Sequence, residues 1–452
     1  MTAGTFTVNG RQYAEPAGPV VVICIDGSEP DYHLEAMAAG RMPWLSKVLD
    51  GEGSSWPAHC AMPALTNPNN VSIATGHPPA VHGISGNYIF DAERGEEVLM
   101  NDKRFLRAPT VFAAANEAGL DVVVVTAKDK LRRLLGAGLV EEGPALDGSG
   151  EFVAPSRRGI CFSAEKADRA TVEDNGIDDV LALVGRPLPD VYSADLSEFA
   201  LAAGVRILET RGADLMYLSL TDYVQHKNAP GTEAANDLYE KIDHYAGRLA
   251  ELGAVVVLTA DHGMSAKTDA TGAARVVYVE DEVRRILGLD ADTEAGAEGL
   301  RVILPITDPY TVHHGALGSF ASVYLPEGAD RAAVVRALRG IEGVQEVHGR
   351  EDAVRRFAQP GDRIGDIVVL AEAGTALGRF AAWHDLSGLD APLRSHGALG
   401  EVQIPFLINR RLPRPEPLDE PFGDPAVVHN YDAFWVATTL VARQDGTAGR
   451  TR

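Results

Sequence analysis

Pro19-Val20-Val21-Val22-Ile23-Cys24-Ile25-Asp26-Gly27 carries six apolar side chains in a row and then stops at an aspartate and a glycine. A run this short, without polar alternation, reads as a strand buried on both faces that opens into a loop. The same pattern recurs along the chain. Asp121 to Thr126, Leu215-Met216-Tyr217-Leu218-Ser219-Leu220 and Ala254 to Thr259 are further apolar runs. Segments with helical patterning precede or separate them: Pro43 to Leu49, Thr110 to Ala118 closed by Gly119, Leu196 to Glu209, and Asn236 to Leu252 stopped by Gly253. Alternation of this kind predicts an α/β fold, a three-layer core with a mainly parallel central sheet and helices on both faces. From about Arg275 the character changes, with short strands (Val276 to Val279, Val302 to Leu304, Ala321 to Tyr324) among helices at Arg331 to Gly340 and Glu351 to Phe357. We read 275–361 as an inserted, smaller α+β cap. The core would comprise 18–274 and 362–445, resuming at Gly365-Asp366-Ile367-Val368-Val369-Leu370, with a frayed tail over 446–452.

Composition narrows the partners. Acidic residues number 64 against 41 basic ones, a formal net charge of -23. Such a field repels nucleic acid and anionic lipid, so neither is an expected partner. It also means that an anionic substrate would need local positive charge. No run approaches the roughly 20 apolar residues of a bilayer span, and Val20 to Ile25 is too short for a signal-peptide core. Cytoplasm is the expected compartment. Cys24, Cys60 and Cys161 show no C-x-x-C spacing and suit reduced thiols rather than a disulfide framework. A homodimer is compatible with these numbers, which do not decide oligomeric state.

In open α/β sheets, ligand-binding groups gather beyond the carboxyl ends of the strands. Three of the expected strands end in metal-ligand residue types: the first at Asp26, the second before Thr221-Asp222-Tyr223-Val224-Gln225-His226, the third before Asp261-His262-Gly263. His396, in Arg394-Ser395-His396-Gly397, precedes the apolar run Gln403 to Ile408. Carboxylate plus imidazole suits zinc without thiolates. Asp222 and His226, four apart, share one face of a helical turn. Asp261 and His262 reach one ion together only from a loop. Each feature alone has a plain structural reading, D-H-G as a turn and D-x-x-x-H as a surface pair; their recurrence at successive strand ends argues for a shared centre. Thr66, followed by Pro68 and a helical pattern, places a hydroxyl at a helix N-terminus, where unpaired N–H groups favour an anion; a simple N-cap is the other reading. Past the strand Asp121 to Thr126, Lys128 and Lys130 lie two apart, so on an extended segment both ammonium groups would converge on one anion. A solvated basic turn, continued by Arg132 and Arg133, is the alternative.

Together these motifs resemble the alkaline phosphatase superfamily, in its nucleotide pyrophosphatase/phosphodiesterase-like branch. The residues that carry the likeness are Ile25-Asp26-Gly27, Thr66-Asn67-Pro68-Asn69-Asn70, Thr75-Gly76-His77 with His82-Gly83-Ile84, Asp222 and His226, Asp261 to Met264, and Ser395-His396-Gly397. The resemblance implies two zinc ions per chain, one on Asp222, His226 and His396, the other surrounded by Asp26, Thr66, Asp261 and His262. It makes Thr66 the nucleophile, with attack by a metal-activated water as the competing version. Within the branch, Lys128 and Lys130 resemble the paired lysines of members that cleave the carbon–phosphorus bond of phosphonoacetate. There they bind the substrate carboxylate, an asparagine matching Asn87 assists at the phosphonate, and Thr66 and His396 would face the same group. The implied substrate is a small anionic phosphonate. A phosphodiesterase or nucleotide pyrophosphatase on the same metals is the alternative, although aromatics are only 6% of the chain. Thr66-Asn67-Pro68-Asn69 is not the C/S-x-P-x-R context of a sulfatase. Arg394 could contact the phosphonate. His77, His82, His313, His314 and His384 are assigned turn or cap roles.

Overall fold

Alternate side chains of each apolar run go to opposite cores, which is why the runs lack polar positions. Val20, Val22 and Cys24 enter one hydrophobic cluster with Val122, Val124, Leu215, Tyr217, Val255 and Val257. Val21, Ile23 and Ile25 enter the other with Val123, Val125, Met216, Leu218, Val256 and Leu258. Each fully buried Val or Leu contributes about 1.5–3 kcal/mol relative to an exposed one, so these strands hold the molecule together. The computed structural model describes residues 4–289, 299–306, 317–387, 389, 391–414 and 427–448.

The central sheet has seven strands, in the order Ile160–Ser163, Val122–Thr126, Leu215–Ser219, Val20–Cys24, Val255–Thr259, Phe406–Ile408 and Ser54–Ser55. The first five run parallel; at one edge Phe406–Ile408 runs against them and Ser54–Ser55 runs against Phe406–Ile408. Helices such as Asp195–Thr210 and Glu233–Glu251 cover one face. The second and third expected strands and the helices around them therefore form as the pattern predicts, within a few residues. The strand Ile160–Ser163 and the N-terminal hairpin of Thr5–Val8 with Arg11–Ala14 carried no clear pattern and were not expected. No helix among the described residues is long and apolar enough to cross a membrane.

A second, fully antiparallel sheet runs Arg301–Ile303, Phe320–Tyr324, Ile367–Ala371, Val344–Gly349. This corrects one expectation: Ile367–Ala371 does not resume the core but sits inside the smaller sheet. An unbroken apolar run signals burial on both faces, not membership of a particular sheet. Here Ile367, Val369 and Ala371 meet the helices of the insertion. Val368 and Leu370 turn the other way, onto Ala353 and Phe357 of the helix Arg350–Phe357 and onto Met62 and Ala398 of the core. The insertion thus leaves the core after Ser265–Ala266 and returns at Arg394–Ser395, two segments that pair with each other. A boundary at 361/362 falls short of that return.

Candidate metal centre

Register brings the three carboxylates together. Cys24 is level with Ser219 on one side and Thr259 on the other. Asp26, Asp222 and Asp261 follow these residues by two or three positions, so three adjacent strands deliver one carboxylate each to the same crevice. Asp222 and His226 do lie on one helical turn, closed by the His226 N–H to Asp222 carbonyl bond of 3.0 Å, and His226 Nε2 is 3.0 Å from Asp222 Oδ2. His396 arrives from the far side of the insertion. Its ring stacks on that of His262 with centroids 3.5 Å apart.

Among the described residues two groups could each hold a cation: Asp222, His262 and His396, and Asp26, Asp261 and His262. Every one of these side chains is buried. His262 belongs to both groups, and His226, an expected ligand, to neither, although its Nε2 lies 3.0 Å from Asp222 Oδ2. Thr66 is the first residue of the helix Thr66–Thr75, and its Oγ1 is 3.3 Å from His262 Nε2. The N-cap position is Leu65, so Thr66 is not the cap.

The donor set fits divalent cations. Each imidazole aims Nδ1 at a backbone carbonyl: His226 at Arg394 (3.1 Å), His262 at Gly263 (2.8 Å), His396 at Ala64 (2.7 Å). These carbonyls hold the proton on Nδ1 and turn the Nε2 lone pair toward the crevice, the arrangement that metal-binding histidines adopt. His262 Nε2 then lies 3.2 Å from Asp26 Oδ1 and 3.8 Å from Asp261 Oδ2. Either a proton on Nε2 or a bound cation would satisfy these contacts. Asp26 Oδ1 is buried with no hydrogen-bond partner. Burial, then the charges of Asp222 and Asp261, push the Asp26 carboxyl well above the usual range. His262 is lifted to about 9: burial opposes its charge, but Asp261 and Asp26 outweigh that. Burial also raises all three cysteine thiols, so none is a thiolate donor.

Residues that sequence reasoning left without a role complete the frame. The helix Thr66–Thr75 is buried throughout, so its asparagines must find partners. Asn67 N–H donates to Asn87 Oδ1 at 2.8 Å, which fixes the Asn87 amide beside Thr66. Asn69 closes the preceding loop by bonds with Ala61 and Pro63. Asn70 donates to Asp261 Oδ2 at 2.9 Å and accepts from Tyr217 and Ser219 at 2.8 Å each. Its position four after Thr66, on the same helical face, was the available signal.

The lysines are placed differently from the extended-segment expectation. Lys128 is the last extended residue, and Lys130 lies in the first turn of the helix Asp129–Leu135, where alternation no longer applies. Lys128 Nζ donates to the Val191 carbonyl at 2.9 Å and lies 5.5 Å from the centre of the Tyr192 ring. Their helix packs against the Thr66 helix. Arg394 is tied into the scaffold: it binds the carbonyls of Gln225 and Met264 and the Tyr32 hydroxyl, and lies 3.5 Å from Glu29 Oε1. His82 bridges Ser72 and the Ile84 N–H, and His384 accepts from Arg379 N–H. His313 and His314 lie outside the described residues.

Residues 20–398 match the family described as type I phosphodiesterase / nucleotide pyrophosphatase. The chain belongs to this family. Two solved structures of phosphonoacetate hydrolase from Sinorhizobium meliloti 1021, in complex with phosphonoformate and with phosphonoacetate, are each 50% identical to it. The match covers 97% of this chain and 100% of that one, with a TM-score of 0.86. Murine ectonucleotide pyrophosphatase / phosphodiesterase 5 in complex with AMP is 18% identical over 94% of this chain and 95% of its own, with a TM-score of 0.60. That likeness extends to the fold. Metal dependence is a property of the superfamily to which this phosphodiesterase family belongs, and the two buried triads supply the groups for it.

Proposed function

We propose that this chain hydrolyses the carbon–phosphorus bond of phosphonoacetate, giving acetate and phosphate. The observation that carries the reading is the meeting of Asp26, Asp222 and Asp261 with His262 and Thr66 in one buried crevice, in a chain half identical over its length to phosphonoacetate hydrolase. In our reading Asp222, His226 and His396 hold one zinc, and Asp26, Asp261, His262 and Thr66 the other. Such a pair of cations supplies Lewis acidity and a charge clamp on an in-line displacement.

Thr66 then acts as nucleophile. Its hydroxyl gives up its proton to solvent, its oxygen bonds to phosphorus as the carbon–phosphorus bond breaks, and the electron pair passes into the acetate carbon, which takes up a proton from solvent. Water afterwards releases phosphate from the threonine. The start of the Thr66 helix and the Asn87 amide, already oriented by Asn67, give donors to phosphonate oxygens. Lys128 and Lys130 receive the carboxylate, where positive charge stabilises the carbanion equivalent as it forms. A phosphate ester, with its better leaving group, needs no such device. Incubation with phosphonoacetate should release phosphate and acetate in equal amounts, and a chelator should stop both. Turnover of a nitrophenyl phosphodiester in preference to phosphonoacetate would contradict this assignment.

A further inference from the structure

Outside the crevice lies a fully buried ion pair. Lys267 Nζ donates to Glu401 Oε1 at 2.7 Å, and the two side chains are 0% and 1% exposed. Glu401 gathers more than Lys267. Its Oε1 also accepts from the Ser265 hydroxyl at 2.5 Å, and its Oε2 from Ala398 N–H at 3.2 Å. Its backbone carbonyl accepts from Gly263 N–H at 2.7 Å.

These partners are not scattered. Gly263, Ser265 and Lys267 continue the loop that carries Asp261 and His262. Ala398 follows His396. Gly397, between them, accepts through its carbonyl from Ala64 N–H at 3.1 Å, and the Ala64 carbonyl in turn accepts from His396 Nδ1 at 2.7 Å. Glu401 therefore joins the segment bearing His262 to the segment bearing His396, and through Gly397 to the loop that leads into Thr66. Those are the rings that stack at 3.5 Å.

We infer that Glu401, locked by Lys267, is a positioning residue that sets the separation of His262 and His396 and so tunes cation affinity. The inference rests on the metal reading of the crevice. The ion pair by itself gives little net stability: burying two charges carries a large desolvation cost, and apolar replacements of similar volume are often neutral or stabilising. A device that fixes ligand geometry does explain it, because outer partners of metal ligands govern affinity by about 10- to 100-fold.

The test compares the wild-type chain with Lys267→Met/Glu401→Leu, measuring the thermal midpoint without metal and zinc affinity by chelator competition. The expected result is a folded variant that binds zinc about 10- to 100-fold more weakly, with a metal-free midpoint lowered only as far as the Ser265 hydroxyl and Ala398 N–H, left without their acceptor, require. A folded double variant that binds zinc as tightly as wild type overturns the inference and leaves the metal reading intact. Wild-type protein that takes up no zinc overturns both. If the double variant does not fold, Ser265→Ala decides, since it removes only one bond to Oε1: weaker zinc binding supports the positioning role, and unchanged binding overturns it.

Discussion

Thr66 and Asn70 are one helical turn apart and face the same crevice, yet their loss should read differently. Thr66→Ala removes the proposed nucleophile and one cation contact while the carboxylates and imidazoles stay. Turnover of phosphonoacetate should fall by orders of magnitude with zinc content largely kept, measured by metal analysis beside single-turnover kinetics. A rate near wild type would leave activated water as the attacking group. Asn70→Ala removes a donor to Asp261 and strands Tyr217 and Ser219. Leaving buried polar groups unpaired costs about 1–3 kcal/mol apiece, so both the thermal midpoint and zinc affinity should drop; a shift in neither would deny Asn70 a supporting role. The candidate ligand types were legible in the sequence because aspartate and histidine recur at three successive strand ends, although each motif alone has a plain structural use. Asn70 and Glu401 were not, since their meaning depends on which distant residue they meet, and nothing local names Asp261 or Lys267 as that partner.

The junction between the strand Val122–Thr126 and the helix Asp129–Leu135 carries the proposed selectivity. Lys128 reaches across to Val191, whereas Lys130 starts the helix. Lys128→Ala/Lys130→Ala should abolish carbon–phosphorus cleavage and spare much of any phosphodiesterase side activity, because only the former discharges a carbanion equivalent. Equal loss of both activities would show that the lysines serve the fold or the phosphoryl group. Runs such as Val20–Cys24 were read correctly as strands because both neighbours in the sheet and both covering layers demand apolar side chains. Ile367–Ala371 has the same composition in the smaller sheet, its second face being covered by the helix Arg350–Phe357 together with core loops at Met62 and Ala398. Composition reports the covering, not what covers. Pairing partners alone separate the two cases.

For the molecule as a whole, a formal charge of -23 would deter a dianionic substrate; the proposed cations and the two lysines reverse that field locally, and the crevice is buried enough to sustain the reversal. Acid should weaken the fold through imidazoles outside the centre. Burial lowers His33 to about 4 from an ordinary 6.5, and its Nδ1 has no hydrogen-bond partner. The folded state thus keeps His33 neutral while the unfolded chain protonates it below 6.5. Its contribution is complete above that value and is lost as pH falls toward 4, a change on the order of 3 kcal/mol over the window. In urea titrations of metal-free protein, wild type should lose stability relative to His33→Leu as pH drops through this range; parallel curves would refute it. The pairing of Ser265–Ala266 with Arg394–Ser395 has one more consequence, for biosynthesis. On a ribosome, Asp26 through His262 emerge first, and His396 is made only after the whole intervening lobe. A half-made chain therefore carries an incomplete set of the proposed ligands, and full loading with the proposed cations must await synthesis of His396.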